Sequence, residues 1–164
     1  MPERGIMSFS AVNVSNNLLF RAFEQDVNIS PMKLQKLLYF VASEYAKATN
    51  TPLLNEQFRA WQYGPVVRSV YDEFKSYGGA PIRKYAKDAE GKAYRIDEGK
   101  NMPLAHAIDR VWGQAKGISA VELSRITHTP GSAWFETYQA AGSELIPDAK
   151  LAADETYRKR LSLA

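Results

Sequence analysis

The sequence predicts an α+β fold that is mainly α: a compact single helical domain with a small antiparallel β element. Three observations lead to it. Apolar residues recur at helical spacing in several separate stretches, short segments between them alternate in the manner of strands, and Gly, Pro or Ser punctuates the joins. A chain of 164 residues, 45% hydrophobic and 12% aromatic, has the size and the apolar content for one domain around one core.

Residues 1–8 read as a flexible start, with Met7 as an alternative initiator, and residues 9–164 as the domain. Ser10 is placed to cap a helix from about Ala11 to Gln25, whose Ala11, Leu18, Ala22 and Phe23 share a face. The next helix is the best marked. Ser30 stands as N-cap and Pro31 as first helical residue, and Leu34, Leu37, Leu38, Val41, Tyr45 and Ala48 follow at helical spacing. On its other side Lys33, Lys36, Phe40 and Lys47 come together as a basic stripe around one aromatic, a solvated face or a candidate partner-binding surface.

After the turn at Thr51-Pro52, Phe58 and Ala60 alternate with Arg59, Trp61 and Tyr63 as a short strand. Gly64-Pro65 is expected to turn the strand into a helix that Pro65 opens, with Val66, Val67, Val70, Tyr71 and Phe74 on its apolar arc and Gly78-Gly79 stopping it. From Ile82 to Ile96 aromatics flank Asp88-Ala89-Glu90-Gly91, the pattern of a β-hairpin with a solvated tip. Helices are then expected over about Pro103 to Ala115 and Ser119 to Ile126, with Ser119 and Glu122 as a capping box. HTPGSAW is expected to be irregular, and Asp148 to cap a last helix through about Leu161.

Composition narrows the function classes. Charged residues are 24% of the chain, both signs are interspersed and the net charge is +3, so a pI near 9.0 does not by itself argue for nucleic acid. No helix with a clear base-reading face stands out, and the basic run Tyr157-Arg158-Lys159-Arg160 is explained equally well as a helix end. A DNA-binding regulator therefore stands only as an alternative. There is no cysteine, hence no disulfide and no thiolate metal site, which suits a reducing cytoplasm. No stretch approaches the roughly 18 apolar residues of a membrane span, and the start lacks the apolar core of a leader. A cytoplasmic protein without a membrane partner is the reading.

The chain offers isolated reactive groups rather than a constellation. His106 and His128 are too few for a zinc site, which takes three or four ligands. Ser124 and His128, four residues apart, suggest a nucleophile and its base; no third group to orient the imidazole is identifiable, and a helix-terminal role for His128 explains it better. Gly64-Pro65 lacks the Gly-rich series and the Lys-Ser/Thr of a phosphate loop. The acid pairs Asp72-Glu73, Asp97-Glu98 and Asp154-Glu155 are sequence neighbours, and where helical they diverge by about 100°. No catalytic residue, cofactor site or metal site is expected. Trp61 and Tyr63, one step either side of Gln62, are expected on one strand face, as core or as aromatic anchors for a partner.

Three strings, SPMKLQKLLYFVASEYAKATNTPLL, AWQYGPVVRSVYDEFKSYG and SAVELSRITHTPGSAW, resemble the Panacea domain family, which includes the SocA-like and GepA-like phage-associated antitoxins. Gln35, Tyr39, Gly64, Pro65, Val66, Tyr71, His128 and Trp134 fall on its motif positions, where a structural role is expected. The chain departs from the family at Ser132-Ala133-Trp134, where members often have Ser-Pro-Trp, and residues from Arg83 to Lys100 match no motif. The resemblance implies an antitoxin that neutralises a cognate protein toxin encoded nearby by binding it. In some relatives the domain also presents the toxin to a protease such as a Clp-type system.

Overall fold

The computed structural model describes residues 8–140 and 144–164, so the start expected over residues 1–8 lies, but for Ser8, outside the described residues. In chain order the described residues form α1 (Ala11–Gln25), α2 (Pro31–Thr49), β1 (Arg59–Trp61), β2 (Gly64–Val66), α3 (Arg68–Phe74), α4 (Met102–Ala115), α5 (Ala120–Thr127), α6 (Ala133–Gln139) and α7 (Asp148–Ala153). The fold is mainly α with one small antiparallel sheet, as the sequence predicts.

α2 is the axis. It packs against α1, α3, α4, α5, α7 and β2, and Leu34, Leu37, Leu38, Tyr39, Phe40, Val41 and Ala42 are all buried. A helix surrounded in this way is covered around its circumference rather than along one stripe. Polar residues of the same helix therefore go inside with the apolar ones: Lys33, Gln35, Lys36, Ser43 and Glu44 are buried. Only at its C-terminal end does the apolar series fail, where Tyr45 is half-buried and Ala48 exposed.

The serines read as caps act as caps. Ser10, Ser30 and Ser119 accept from the backbone N–H groups of Asn13, Lys33 and Glu122 at 3.4, 3.3 and 3.1 Å, each satisfying a donor that the first helical turn leaves open. The Glu122 carboxylate turns to Arg125 at 3.2 Å instead of completing a capping box. α1 and α2 stop at Asp26 and Asn50, both left-handed with φ of 54° and 58°, a conformation these short polar side chains tolerate.

Further expectations about the elements need correction. Pro65 does not open a helix: Arg59, Ala60 and Trp61 pair with Val66, Pro65 and Gly64, so Gly64–Val66 is a second strand and α3 starts at Arg68. Beyond β1, Ala60 donates to the Glu144 carbonyl at 2.6 Å; β2 has β1 on one side only, and an edge position tolerates a residue with no N–H.

The hairpin expected over Ile82 to Ile96 is an irregular segment closed by the Asp88–Gly91 turn. Buried amides of α1 hold it in place of a partner strand. Asn16 accepts from Ala86 N (2.8 Å) and donates to the carbonyls of Ala86 (3.0 Å) and Tyr94 (2.9 Å). Asn17 does the same for Ile96 N and O at 2.8 and 2.9 Å.

HTPGSAW contains the start of a helix, α6, because Ser132 caps it by accepting from Phe135 N at 3.0 Å. The last helix ends at Ala153, and residues 156–162 form successive turns. Among the described residues no helix is long and apolar enough to cross a membrane.

Candidate functional site

The basic stripe expected on the outside of α2 is turned inward. Lys33 donates to the Lys116 carbonyl at the C-terminal end of α4. Lys47 donates to Ser43 Oγ at 3.0 Å and to the Ala152 and Asp154 carbonyls at the end of α7. Both cations meet the negative end of a helix, where unbonded carbonyls collect. Burial lowers the pKa of each, and for Lys47 the nearby Glu155, Glu44 and Asp154 oppose that shift. Phe40 is fully buried between Tyr39 and Tyr157, with ring centroids 5.8 and 5.0 Å away. The physical reason is the position of α2: a helix covered around most of its circumference has no continuous face left for a solvated stripe.

Lys36 is different. Its side chain is 1% exposed, and its ammonium donates to the Pro65 carbonyl at 3.3 Å. Among the described residues it has no carboxylate partner. Burial alone pushes its pKa down to about 7, because desolvation without a counter-charge disfavours the charged form. The β1–β2 turn lies directly above it. Gly64, at φ +119°, leaves room for the amine: a Cβ there would lie 2.7 Å from Lys36 Nζ.

Lys36 forms the floor of a groove of about 310 Å³ lined also by Pro31, Met32, Gln35, Trp61, Tyr63, Val66, Tyr71, Lys75 and Gly78. The elements that build it are fixed from below. Gln35 clamps the Val67 backbone by donating to its carbonyl (3.1 Å) and accepting from its N–H (2.9 Å), and this sets where α3 begins relative to α2. Trp61 meets Tyr71 edge to face at 4.9 Å, under the Arg68 guanidinium at 5.7 Å. Trp134 holds the strand from behind by donating to the Trp61 carbonyl at 2.7 Å.

Tyr63 belongs to the turn rather than to the strand face of Trp61, and is 64% exposed. Met32 and Tyr71 are exposed beside it at 37% and 40%. Three large apolar side chains thus surround one groove.

Behind this groove His128 ends α5, its backbone N–H bonded to the Ser124 carbonyl at 3.1 Å. Its ring stacks on Trp134 at 4.0 Å, and Trp134 stacks on Tyr138 at 4.7 Å. Burial first and the Lys36 charge second lower the His128 pKa, while a bond to the Tyr63 backbone acts the other way. Ser124 donates its hydroxyl to the Tyr63 carbonyl at 2.8 Å rather than to an imidazole. The pair therefore braces the β1–β2 turn. His106 is exposed on α4, and no group of three His, Asp or Glu side chains gathers at metal-binding distance among the described residues.

Of the residues singled out from sequence, Gln35, Lys36, Trp61, Tyr63, Gly64, Pro65, Val66 and Tyr71 come together at or beside the groove, with His128 and Trp134 behind it. Lys33, Phe40 and Lys47 do not join them, and Tyr39 lies in the core, its hydroxyl 2.5 Å from Asp154 Oδ2.

A second buried charge went unread. Glu44, 4% exposed, pairs with Arg158 at 3.0 Å and Arg110 at 3.2 Å and accepts from the Tyr157 hydroxyl. The basic run at the C-terminal end thus supplies partners for Glu44. An acid inside the apolar run of α2 was the available signal.

Comparisons with known proteins assign the chain to a family. Residues 34–135 match the family model described as "Antitoxin SocA-like, Panacea domain", which places the chain in the class of antitoxin-family proteins. The chain belongs to the SocA-like, Panacea-domain family. Antitoxin SocA of Caulobacter vibrioides (strain NA1000 / CB15N) is 33% identical to it over 141 residues, covering 84% of this chain and 75% of that protein. No solved structure matches it significantly.

Proposed function

We propose that this chain acts in the cytoplasm as an antitoxin that neutralises a cognate protein toxin by binding it directly, without turnover or cofactor, and that the groove between α2, the β1–β2 turn and α3 faces the toxin. The carrying observation is the exposed trio of Met32, Tyr63 and Tyr71 around a groove walled by Trp61. Large apolar and aromatic side chains left in water and clustered at one place are the composition of an interface centre, not of an ordinary surface. Likeness to a protein named as an antitoxin supplies the class of partner. A stable complex would bury on the order of 1,600 Å² in total, with the groove as its centre.

The test is co-expression with the product of the neighbouring open reading frame. That product is expected to be toxic alone, to be tolerated with this chain present, and to co-purify with it at micromolar concentration. Rescue without a recoverable complex would reject direct binding. Presentation of the bound toxin to a Clp-type protease would use the same complex. It is read from the toxin's lifetime, which would shorten in cells that hold the protease and this chain together.

A further inference from the structure

The groove carries information about what it receives, and this inference rests on the toxin-binding reading above. An ammonium has three donors, and Lys36 directs one of them to a neutral carbonyl at 3.3 Å. Such a bond does not offset the removal of a charge from water. The other inward cations of α2 meet the negative ends of helices, Lys33 on the Lys116 carbonyl and Lys47 on those of Ala152 and Asp154. Lys36 faces a turn, and the groove above it is lined by a second cation, Lys75, and by no Asp or Glu. Asp72, which follows the groove residue Tyr71 on α3, is itself engaged by Arg68 at 3.2 Å and by Lys75 at 3.7 Å.

We propose that the groove floor seats an acidic side chain of the toxin, its carboxylate on Lys36 and an adjacent apolar residue against Trp61, Tyr63 and Tyr71. A buried cation without an anion attracts a carboxylate far more strongly than an exposed lysine does, because the surrounding protein screens it less. The aromatic walls exclude water from that contact. Gly64 leaves room for the amine beneath the turn, since any Cβ at that position would fall on it. The shift of Lys36 toward neutrality in the free chain agrees with a site that lacks its anion until the partner supplies one.

Two blocked tripeptides, acetyl-Phe-Asp-Phe-amide and acetyl-Phe-Asn-Phe-amide, test the chemistry on the intact chain, with binding followed at the Gly64 amide and the Trp61 indole by NMR. The Asp peptide is expected to bind at least tenfold more tightly than the Asn peptide, and Lys36→Met to abolish the difference while leaving the fold as stable as the parent or more so. Equal binding of both peptides to the parent, or no perturbation at Gly64 and Trp61, would overturn the proposal.

The same variant is then measured against the neighbouring gene's product. At least tenfold weaker binding by Lys36→Met, reproduced in the parent by one acid-to-amide change in the toxin and not deepened when the two changes are combined, supports the assignment. Unchanged toxin affinity would overturn it while leaving direct binding intact. A parent chain that forms no complex rejects the toxin-binding reading itself, and the peptide comparison still decides whether the groove is a carboxylate site.

Discussion

Two buried charges stand about two turns apart on α2 and have opposite fates. Glu44 is enclosed by Arg158, Arg110 and the Tyr157 hydroxyl, and both arginines reach on to the Leu163 carbonyl at 3.2 and 2.6 Å. Its partners come from the chain itself, so the charge locks the C-terminal segment onto the core. Lys36 has one neutral acceptor and an open groove. A buried charge that finds its complement within the fold belongs to the fold, and one that does not is a liability until something outside supplies it.

The largest expected effect comes from breaking the closed site. Glu44→Ala leaves the buried Tyr157 hydroxyl without its acceptor and the partly solvated Arg158 and Arg110 without their carboxylate, and should lower stability by about 2 to 3 kcal/mol. Urea unfolding at pH 7 measures it. A change below about 1 kcal/mol would mean that the cluster is solvated and exerts no lock.

Lys36→Met should move stability the other way, upward by about 1 to 3 kcal/mol at pH 7, because an apolar side chain of similar length replaces an uncompensated cation. The linkage has a definite sign. With a folded pKa of about 7 against 10.5 in the unfolded chain, the unfolded state binds the extra proton, so this lysine's contribution improves as pH rises from 7 to 10.5 and is lost on the way down. Lys36→Met should lack that slope, and its advantage over the parent should shrink toward alkaline pH. Loss of stability in Lys36→Met at every pH would erase the distinction between the two sites.

What the sequence made legible divides along the same line. The caps and starts of α1, α2 and α5 and most of the apolar series of α1 and α2 were readable because they depend on neighbours in the chain, as with Ser30-Pro31. Of the groove residues, Gln35, Val66 and Tyr71 were readable as motif positions and Lys36, Trp61 and Tyr63 as partner-facing candidates, but not as one groove, and Met32 and Lys75 were not singled out. The inward course of Lys33 and Lys47 was not readable, because periodicity assumes that a helix has a wet side and α2 has almost none. The anchoring of Ala86 and Ile96 by Asn16 and Asn17 was hidden for a similar reason: an amide that replaces a partner strand leaves a strand-like pattern in the segment it holds.

The groove wall gives a smaller effect on stability and a larger one on binding. Trp61 is half-buried rather than enclosed, so Trp61→Ala should cost about 1 to 2 kcal/mol, less than the roughly 3 to 5 typical of a buried aromatic. Toxin affinity should fall at least tenfold, since indole rings at interface centres carry a large share of binding energy. Full affinity in a variant that unfolds earlier would make Trp61 a core residue and move the toxin-facing surface elsewhere, with the Arg83 to Lys100 segment next to be tested.

His128→Gln should have the smallest effect, below about 1 kcal/mol at pH 7, and it sharpens the comparison from the side of Lys36. The substitution loses a ring stacked on Trp134, a contact worth about 0.5 to 1.5 kcal/mol. It also replaces a buried Nε2 that has no hydrogen-bond partner among the described residues with an amide on a flexible stem, which can turn toward a partner that the fixed ring does not reach. The two changes nearly cancel. Burial and the Lys36 charge hold the His128 pKa below its ordinary 6.5, so the parent's stability from this residue is present above pH 6.5 and falls away as pH drops through the lowered value. The Gln variant has no such acid-side loss and should gain on the parent in thermal unfolding as pH falls below 6.5, while rescue of the toxin's effect is expected to persist under the direct-binding proposal. Abolished rescue in a variant that folds and still binds the toxin would instead assign the ring a chemical role beside Lys36.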